Sequence, residues 1–338
     1  LHPRVRRQRQ MCIRDRADED VLGLIYISCK NIGNRKATGS YYTSTKVVKN
    51  LIGRLSFQEP VKVLDPCCGT GNFLLQLPDV LPFDSIYGND IDAASVKITR
   101  LNMALKYNVP VAAIYEHITG QDYLTDYAEK DFRYIIGNPP WGYDFSEEEQ
   151  SQLRTIYKSA TGKNIESYDV FIEQALNHLT DNGHLAYVLP EAILNVKAHT
   201  NIRKIILESC SIKNLVFLGN AFDGVQCPCI ILDLQCTRSP LSTVGMNVNT
   251  GTASFTINIE RTVSAEYFSF TTSDAEYNVL CKIRSMPNSA YLLDNADFAL
   301  GIVTGNNKQY ISDIKNENNE MILKGADICN CLLYTSPS

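Results

Sequence analysis

The tetrapeptide Asn138-Pro139-Pro140-Trp141 follows the apolar run Tyr134-Ile135-Ile136-Gly137. Consecutive prolines fix φ and donate no N–H, so they make a stiff loop whose carbonyl groups point outward. Such a loop offers two acceptors, the Asn138 side-chain oxygen and the Pro139 carbonyl. Two acceptors can hold both N–H groups of an exocyclic amine on a nucleobase. That amine is a poor nucleophile, because its lone pair is delocalised into the ring. Holding both hydrogens biases the nitrogen towards a tetrahedral geometry and localises the pair, so the chemistry needs orientation rather than a strong base. Trp141 adds a π-face on which a base that has left its helix can stack. A rigid turn beside a packed tryptophan is the bland alternative, and it is disfavoured by where the tetrapeptide falls in the order of elements.

A second cluster, Asp65-Pro66-Cys67-Cys68-Gly69-Thr70-Gly71-Asn72-Phe73, begins at the end of the apolar run from Val61. Glycines directly after a strand let the chain turn tightly and admit a ligand where a Cβ would stand. The phosphate-binding fingerprint wants a third glycine or alanine, and Leu74 occupies that place. An acid ahead of the turn also suits a cationic, amino-acid-bearing ligand better than a pyrophosphate. Asp90 ends the next apolar run, where an acid roughly 20 residues past the glycines can accept both ribose hydroxyls. A helix N-cap is its alternative role, with Asp92 as a rival for either. Asp122-Tyr123 could accept from an adenine amino group and cover its ring, or be an ordinary loop pair.

The elements that must position these residues alternate. Apolar runs at 61–65, 86–90, 114–119, 134–138, 184–190, 214–219 and 229–235 read as strands, and stretches at 93–107, 168–181 and 199–209 as helices. The alternation predicts an α/β fold with a doubly wound, mostly parallel sheet. Such sheets bind ligands at the carboxyl ends of their strands, and each motif above falls at such an end. After residue 240 the periodicity weakens, and the Ser/Thr-rich text up to 275 predicts a connector or small β-rich insertion.

At 338 residues the chain can form one large α/β domain and part of a second. Its 44% hydrophobic and 20% charged content excludes a disordered or fibrous chain. No apolar run approaches the roughly 20 residues of a membrane helix, and no secretory signal is present, which predicts a cytoplasmic location without membrane association. A net charge of −5 argues against coating nucleic acid through bulk charge but permits a local basic patch. Lys46, Lys158, Lys163 and Arg203 could line such a path, but each reads first as a solvated surface charge. The 11 cysteines include no CxxC pair and no histidine at zinc spacing, so no metal site is expected. Cys227-Pro228-Cys229 and Cys329-Asn330-Cys331 read as reduced cysteines. Residues 1–16, arginine-rich and without period, and 332–338 read as adapter-derived, non-native segments.

As an ordered set these motifs resemble the gamma class of amino-methyltransferases, close to the type IIG restriction-modification and related adenine-specific enzymes, over roughly residues 18–330. The resemblance implies a seven-stranded Rossmann-like methyltransferase sheet and S-adenosylmethionine as cofactor. It further implies methyl transfer to N6 of a flipped-out adenine in double-stranded DNA, in a restriction-modification or phage-defence system. Thr38-Gly39-Ser40-Tyr41-Tyr42-Thr43 resembles the class's opening motif, whose threonine, here Thr43, would touch the methionine carboxylate; Ser44 stands where the class usually has proline. Asp65, Cys67, Gly69 and Gly71 fall on the cofactor loop, Asp90 on the ribose position, and Asp122 and Tyr123 on the adenine position. Asn138, Pro139, Pro140 and Trp141 fall on the catalytic motif. Phe222 resembles the aromatic that stacks on the other face of the flipped base, with a core phenylalanine as the alternative. Residues 17–240 would form the catalytic domain, 241–290 a connector and 291–331 the start of a target recognition domain. Gly301 to Lys308 and Leu323 to Ile328 carry that last resemblance. An endonuclease module in the flanks is a further partner that such systems imply.

Other readings stay open. Protein-glutamine methyltransferases use a related pair of motifs on the same fold, and RNA methyltransferases form a third candidate class. A non-catalytic DNA-binding subunit would keep the fold without needing Asn138 to Trp141. The opening motif, Trp141 and the text entering Thr304 to Lys308 favour DNA. Cytosine-N4 methylation is disfavoured, because that chemistry more often carries serine or aspartate at the Asn138 position.

Overall fold

The computed structural model describes residues 20–29, 42–57, 61–222 and 227–291, with short stretches between 295 and 322. The segments 1–16, 38–41, 303–306, 323–328 and 332–338, to which the sequence assigned adapter-like ends and parts of two motifs, lie outside the described residues. Residues 1–280 pack as one unit and 281–338 as a second, and the candidate site lies within the first.

Strands β1 Val63–Asp65, β2 Ile86–Asn89, β3 Ile118–Thr119, β4 Phe132–Gly137 and β5 Leu179–Pro190 run parallel. All three residues of β1 are buried, as a central strand covered by helices on both faces requires. Strand β7 Cys229–Cys236 inserts antiparallel between β5 and β6 Cys210–Gly219. Among the described residues the order is β3-β2-β1-β4-β5-β7-β6-β8-β9, so the expected seven strands are extended to nine. The two additions, β8 Met246–Asn249 and β9 Ser254–Ile257, come from text that the sequence reads as a connector or small β-rich insertion. They are strands because Met246 and Val248 bury one face while β8 pairs parallel with β6. Four residues of that alternation are too few to stand out in the sequence.

The apolar text at 114–119 is a second departure. Helix α5 Val111–His117 takes most of it, leaving β3 two residues. Pro110 sits at its N-cap and Ala112 and Ala113 in its first turn, and Ile114 and His117, three apart, face the core. Helices α1 Val21–Cys29, α2 Thr45–Ile52, α3 Asn72–Leu75, α4 Ala93–Lys106, α6 Glu147–Ile156, α7 Ser167–His178 and α8 Thr200–Ser209 complete the parts that surround the site. Among the described residues no helix is long and apolar enough to cross a membrane, and no cluster of three His, Cys, Asp or Glu side chains could hold a metal ion.

Arg203, which the sequence reads as a surface charge, is fully buried on α8. Its guanidinium donates to the carbonyls of Ala265 (2.6 Å), Ile193 (2.7 Å), Val196 (2.9 Å) and Glu266 (2.8 Å), tying two irregular segments to one helix. No apolar residue can satisfy those carbonyls. Arg203→Met is therefore expected to lower the unfolding free energy by about 2–4 kcal/mol, read as a shift in urea midpoint at unchanged slope.

Candidate active site

The loop between β1 and α3 is shaped by two glycines with positive φ, Gly69 at 54° and Gly71 at 92°. A Cβ on Gly69 would meet nothing within 4 Å, whereas one on Gly71 would stand 3.1 Å from Thr99. Gly69 thus faces open space and Gly71 faces α4. Asp65 ends β1 beneath this loop, fully buried, with Oδ1 accepting the Cys67 N–H at 3.2 Å and Oδ2 without a hydrogen-bond partner. Burial pushes its carboxyl well above the usual carboxylate range. Gly137 lies against it: a Cβ there would fall 2.6 Å from Asp65 Oδ1, at a φ of 146°.

At the end of β2, Asn89 is buried and uses both ends of its amide. Its oxygen accepts from Thr119 Oγ1 (2.9 Å) and the Gln121 N–H (3.0 Å), and its nitrogen donates to the Gln121 carbonyl (3.0 Å). One side chain therefore holds the carboxyl ends of β2 and β3 together. The neighbouring acids differ in their partners. Asp92 is the N-cap of α4, accepting from Ala94 N (3.1 Å), and it also receives the Tyr26 hydroxyl of α1 at 2.7 Å. Asp90 is held by the N–H groups of Gly69 and Asp92, each at 2.8 Å. Each carboxylate oxygen has further acceptor capacity.

Across the sheet, β4 delivers Asn138 and the loop that follows. Thr43, buried at the foot of α2, joins the two halves: its hydroxyl accepts from Asn138 Nδ2 at 3.1 Å and its carbonyl from Asn72 Nδ2 at 2.7 Å. With its nitrogen so engaged, Asn138 turns Oδ1 the other way, where it is buried without a hydrogen-bond partner. Ser44, which follows, has φ −61° and ψ 141°, the conformation a proline would adopt there.

A cavity of about 630 Å³ opens between the β1, β2 and β4 loops. Of the residues singled out in the sequence, Thr43, Cys67, Gly69, Asp90, Asp92, Asp122, Tyr123, Asn138 and Pro140 line it. Asp65, Gly71, Pro139, Trp141 and Phe222 do not. Tyr123 reaches the wall, but its ring is committed to the core, packed 5.5 Å from Phe171 and 5.4 Å from His178 between centroids. The apolar wall comes instead from residues the sequence reading missed, above all Ile91, which is 73% exposed, with Phe145 and Tyr26. An isoleucine between two acids directly after a strand was the available signal for Ile91. Trp141 and Phe222 meet edge to face, with centroids 4.9 Å apart and planes at 82°. Rings that sandwich a base stand roughly 7 Å apart, twice a stacking distance, in parallel planes. These two form one wall, and Phe222 has to turn before a base can lie between them.

Comparison with known proteins agrees with this geometry. A profile of the family described as N-6 DNA methylase matches residues 17–263. Type II methyltransferase M.VspI of Vibrio sp. (strain 343) is 29% identical over 310 residues, covering 90% of this chain and 74% of that protein. Type II methyltransferase M.HincII of Haemophilus influenzae is 22% identical over 199 residues, 57% of this chain and 36% of that one. The chain thus spans about three quarters of the first of these relatives and about a third of the second. Among solved structures, the electron cryomicroscopy structure of a DrdV–DNA complex superposes with a TM-score of 0.52 at 18% identity, over 65% of this chain and 28% of that one, a likeness of fold.

Proposed function

The chain belongs to the N-6 DNA methylase family, and we propose from that premise that it transfers the methyl group of S-adenosylmethionine to N6 of an adenine in double-stranded DNA, within a restriction-modification system. The observation that supports this most directly is Asn138 Oδ1, a buried acceptor without a hydrogen-bond partner beside the cavity. A buried unpaired amide oxygen is expensive to maintain, and a substrate N–H is the group that would satisfy it.

The residues present fit the cofactor. A cavity of about 630 Å³ suits a nucleoside bearing an amino-acid chain. Asp90 would accept the ribose hydroxyls, Asp122 the adenine amino group, and Ile91 would cover the ring. Gly69 leaves the space that a close-lying ligand needs. Thr43 would meet the methionine carboxylate. Asp65 is off the cavity wall, so we assign it to supporting the loop from beneath. Bound there, the cofactor supplies a sulfonium methyl that an amine nitrogen can attack, leaving as the neutral thioether.

Asn138 Oδ1 would accept one N6 hydrogen, and the carbonyl of Pro139, which stands between the cavity-lining Asn138 and Pro140, would accept the other, aiming the nitrogen lone pair at the cavity. Neither is basic enough to take the proton. The proton leaves to water after the nitrogen has gained its fourth bond. Thr43 keeps the amide in the required orientation by accepting from Nδ2, which would otherwise compete for Oδ1's place. Recognition of a DNA sequence we assign to the region from residue 291 onward.

Expression in a host lacking DNA methylation, followed by digestion of its DNA to nucleosides and mass analysis, tests the reading. N6-methyladenine that disappears in the Asn138→Ala variant supports it. Unmodified DNA from folded, cofactor-binding protein sinks it and directs the search to RNA and protein acceptors.

A further inference from the structure

Two prolines in succession leave the loop from Asn138 to Tyr143 short of N–H donors, so its carbonyls need donors from elsewhere. Ser167, the first residue of α7 and fully buried, supplies one. Its hydroxyl donates to the Pro140 carbonyl at 2.6 Å, and its oxygen accepts the Tyr143 N–H at 3.4 Å. The two contacts bracket Trp141, one on each side along the chain. The end of α7 that carries Ser167 is itself held by the imidazole of His199. Tyr168 Oη lies 2.7 Å from His199 Nε2, and Asp169 lies 2.9 Å from His199 Nδ1. Further along the helix, Glu173 accepts the N–H groups of Lys158 (3.0 Å) and Ser159 (2.8 Å). All three α7 side chains are buried.

We propose that Ser167 is a positioning residue for methyl transfer: through its bond to the Pro140 carbonyl it transmits the rigid placement of α7 to the Pro139 carbonyl and Trp141. The inference rests on the functional reading above. Pro139 and Trp141 flank Pro140 directly, so a rotation of the Pro140 peptide redirects both. The hydroxyl is not itself part of the cavity lining, although it holds Pro140 and Tyr143, which are. Its effect should therefore appear chiefly in turnover, with affinity changed little.

The test is steady-state and single-turnover kinetics of the full chain with radiolabelled S-adenosylmethionine and unmethylated genomic DNA, together with calorimetric cofactor binding. For Ser167→Ala we expect kcat to fall about 10–50-fold, with KM for DNA and Kd for the cofactor changing no more than about twofold. Ser167→Thr, which keeps the hydroxyl, should recover most of the rate. A Ser167→Ala enzyme with unchanged kcat overturns the proposal. So does a loss shared equally among kcat, cofactor affinity and melting temperature and not recovered by threonine, which would mark Ser167 as a packing residue only. Wild-type protein that binds cofactor but methylates no adenine overturns the functional reading, and this inference with it; an active wild type isolates the inference.

Discussion

Asn138→Ala is expected to lower the methyl-transfer rate by about 10²–10³-fold while changing cofactor affinity by less than about threefold. The side chain offers the reacting amine one of two acceptors, and its oxygen is buried without a hydrogen-bond partner at the cavity. Removing it returns the N6 lone pair to the ring, which acts on the transition state and not on cofactor binding. The residue does line the cavity, which is why a small affinity change is allowed for. Asn138→Asp is a sharper probe. It keeps an acceptor and can accept a hydrogen bond from the Thr43 hydroxyl, where asparagine donates one. It should retain more activity than alanine. Single-turnover transfer of labelled methyl, beside calorimetric binding, separates the two quantities. An alanine variant that transfers methyl at the wild-type rate would remove Asn138 from the mechanism.

Asp90→Ala should weaken cofactor binding by about 10²–10³-fold, because two charge-assisted hydrogen bonds of about 1.5–2 kcal/mol each would be lost. The carboxylate also holds the N–H groups of Gly69 and Asp92, so the glycine loop loses an anchor at the same time. Asp92→Ala provides the contrast. It removes the N-cap of α4 and the Tyr26 bond, an effect expected chiefly on stability, about 1 kcal/mol. Calorimetry with the cofactor, with thermal unfolding of each variant, reads both. Equal effects of the two substitutions on affinity would refute the division of labour between the acids.

Much of the site was legible because its residues are special for local reasons. Glycines after an apolar run, paired prolines and an acid at a strand end each announce a backbone event or a charge that short-range chemistry explains. The sequence left Asp90 and Asp92 as rivals, since both can cap a helix; the structure gives the cap to Asp92 through the Ala94 N–H, while the contacts with Gly69 and Tyr26 come from far away in sequence. Tyr123 illustrates the same limit. Its position after a strand suggested a ring over the ligand, but packing against Phe171 and His178 claims the ring for the core. Arg203 looked like any helix-surface arginine until the irregular segments around Ile193 and Ala265 supplied it with carbonyls. Brevity left β8 and β9 open between a connector and a small β-rich insertion, and α5 was hidden by β-branched residues that a strand would also favour.

The edge-to-face contact of Trp141 with Phe222 has an optical consequence. Trp141 is the single tryptophan of the chain, so emission excited beyond tyrosine absorption comes from one ring three residues from Asn138, packed against Phe222. Stacking of a nucleobase on that ring would quench the emission, and a turn of Phe222 away from it would shift the spectrum, while the rest of the chain stays dark. The protein therefore carries its own clock for base capture: stopped-flow emission can be timed against methyl incorporation with no dye attached and no altered residue.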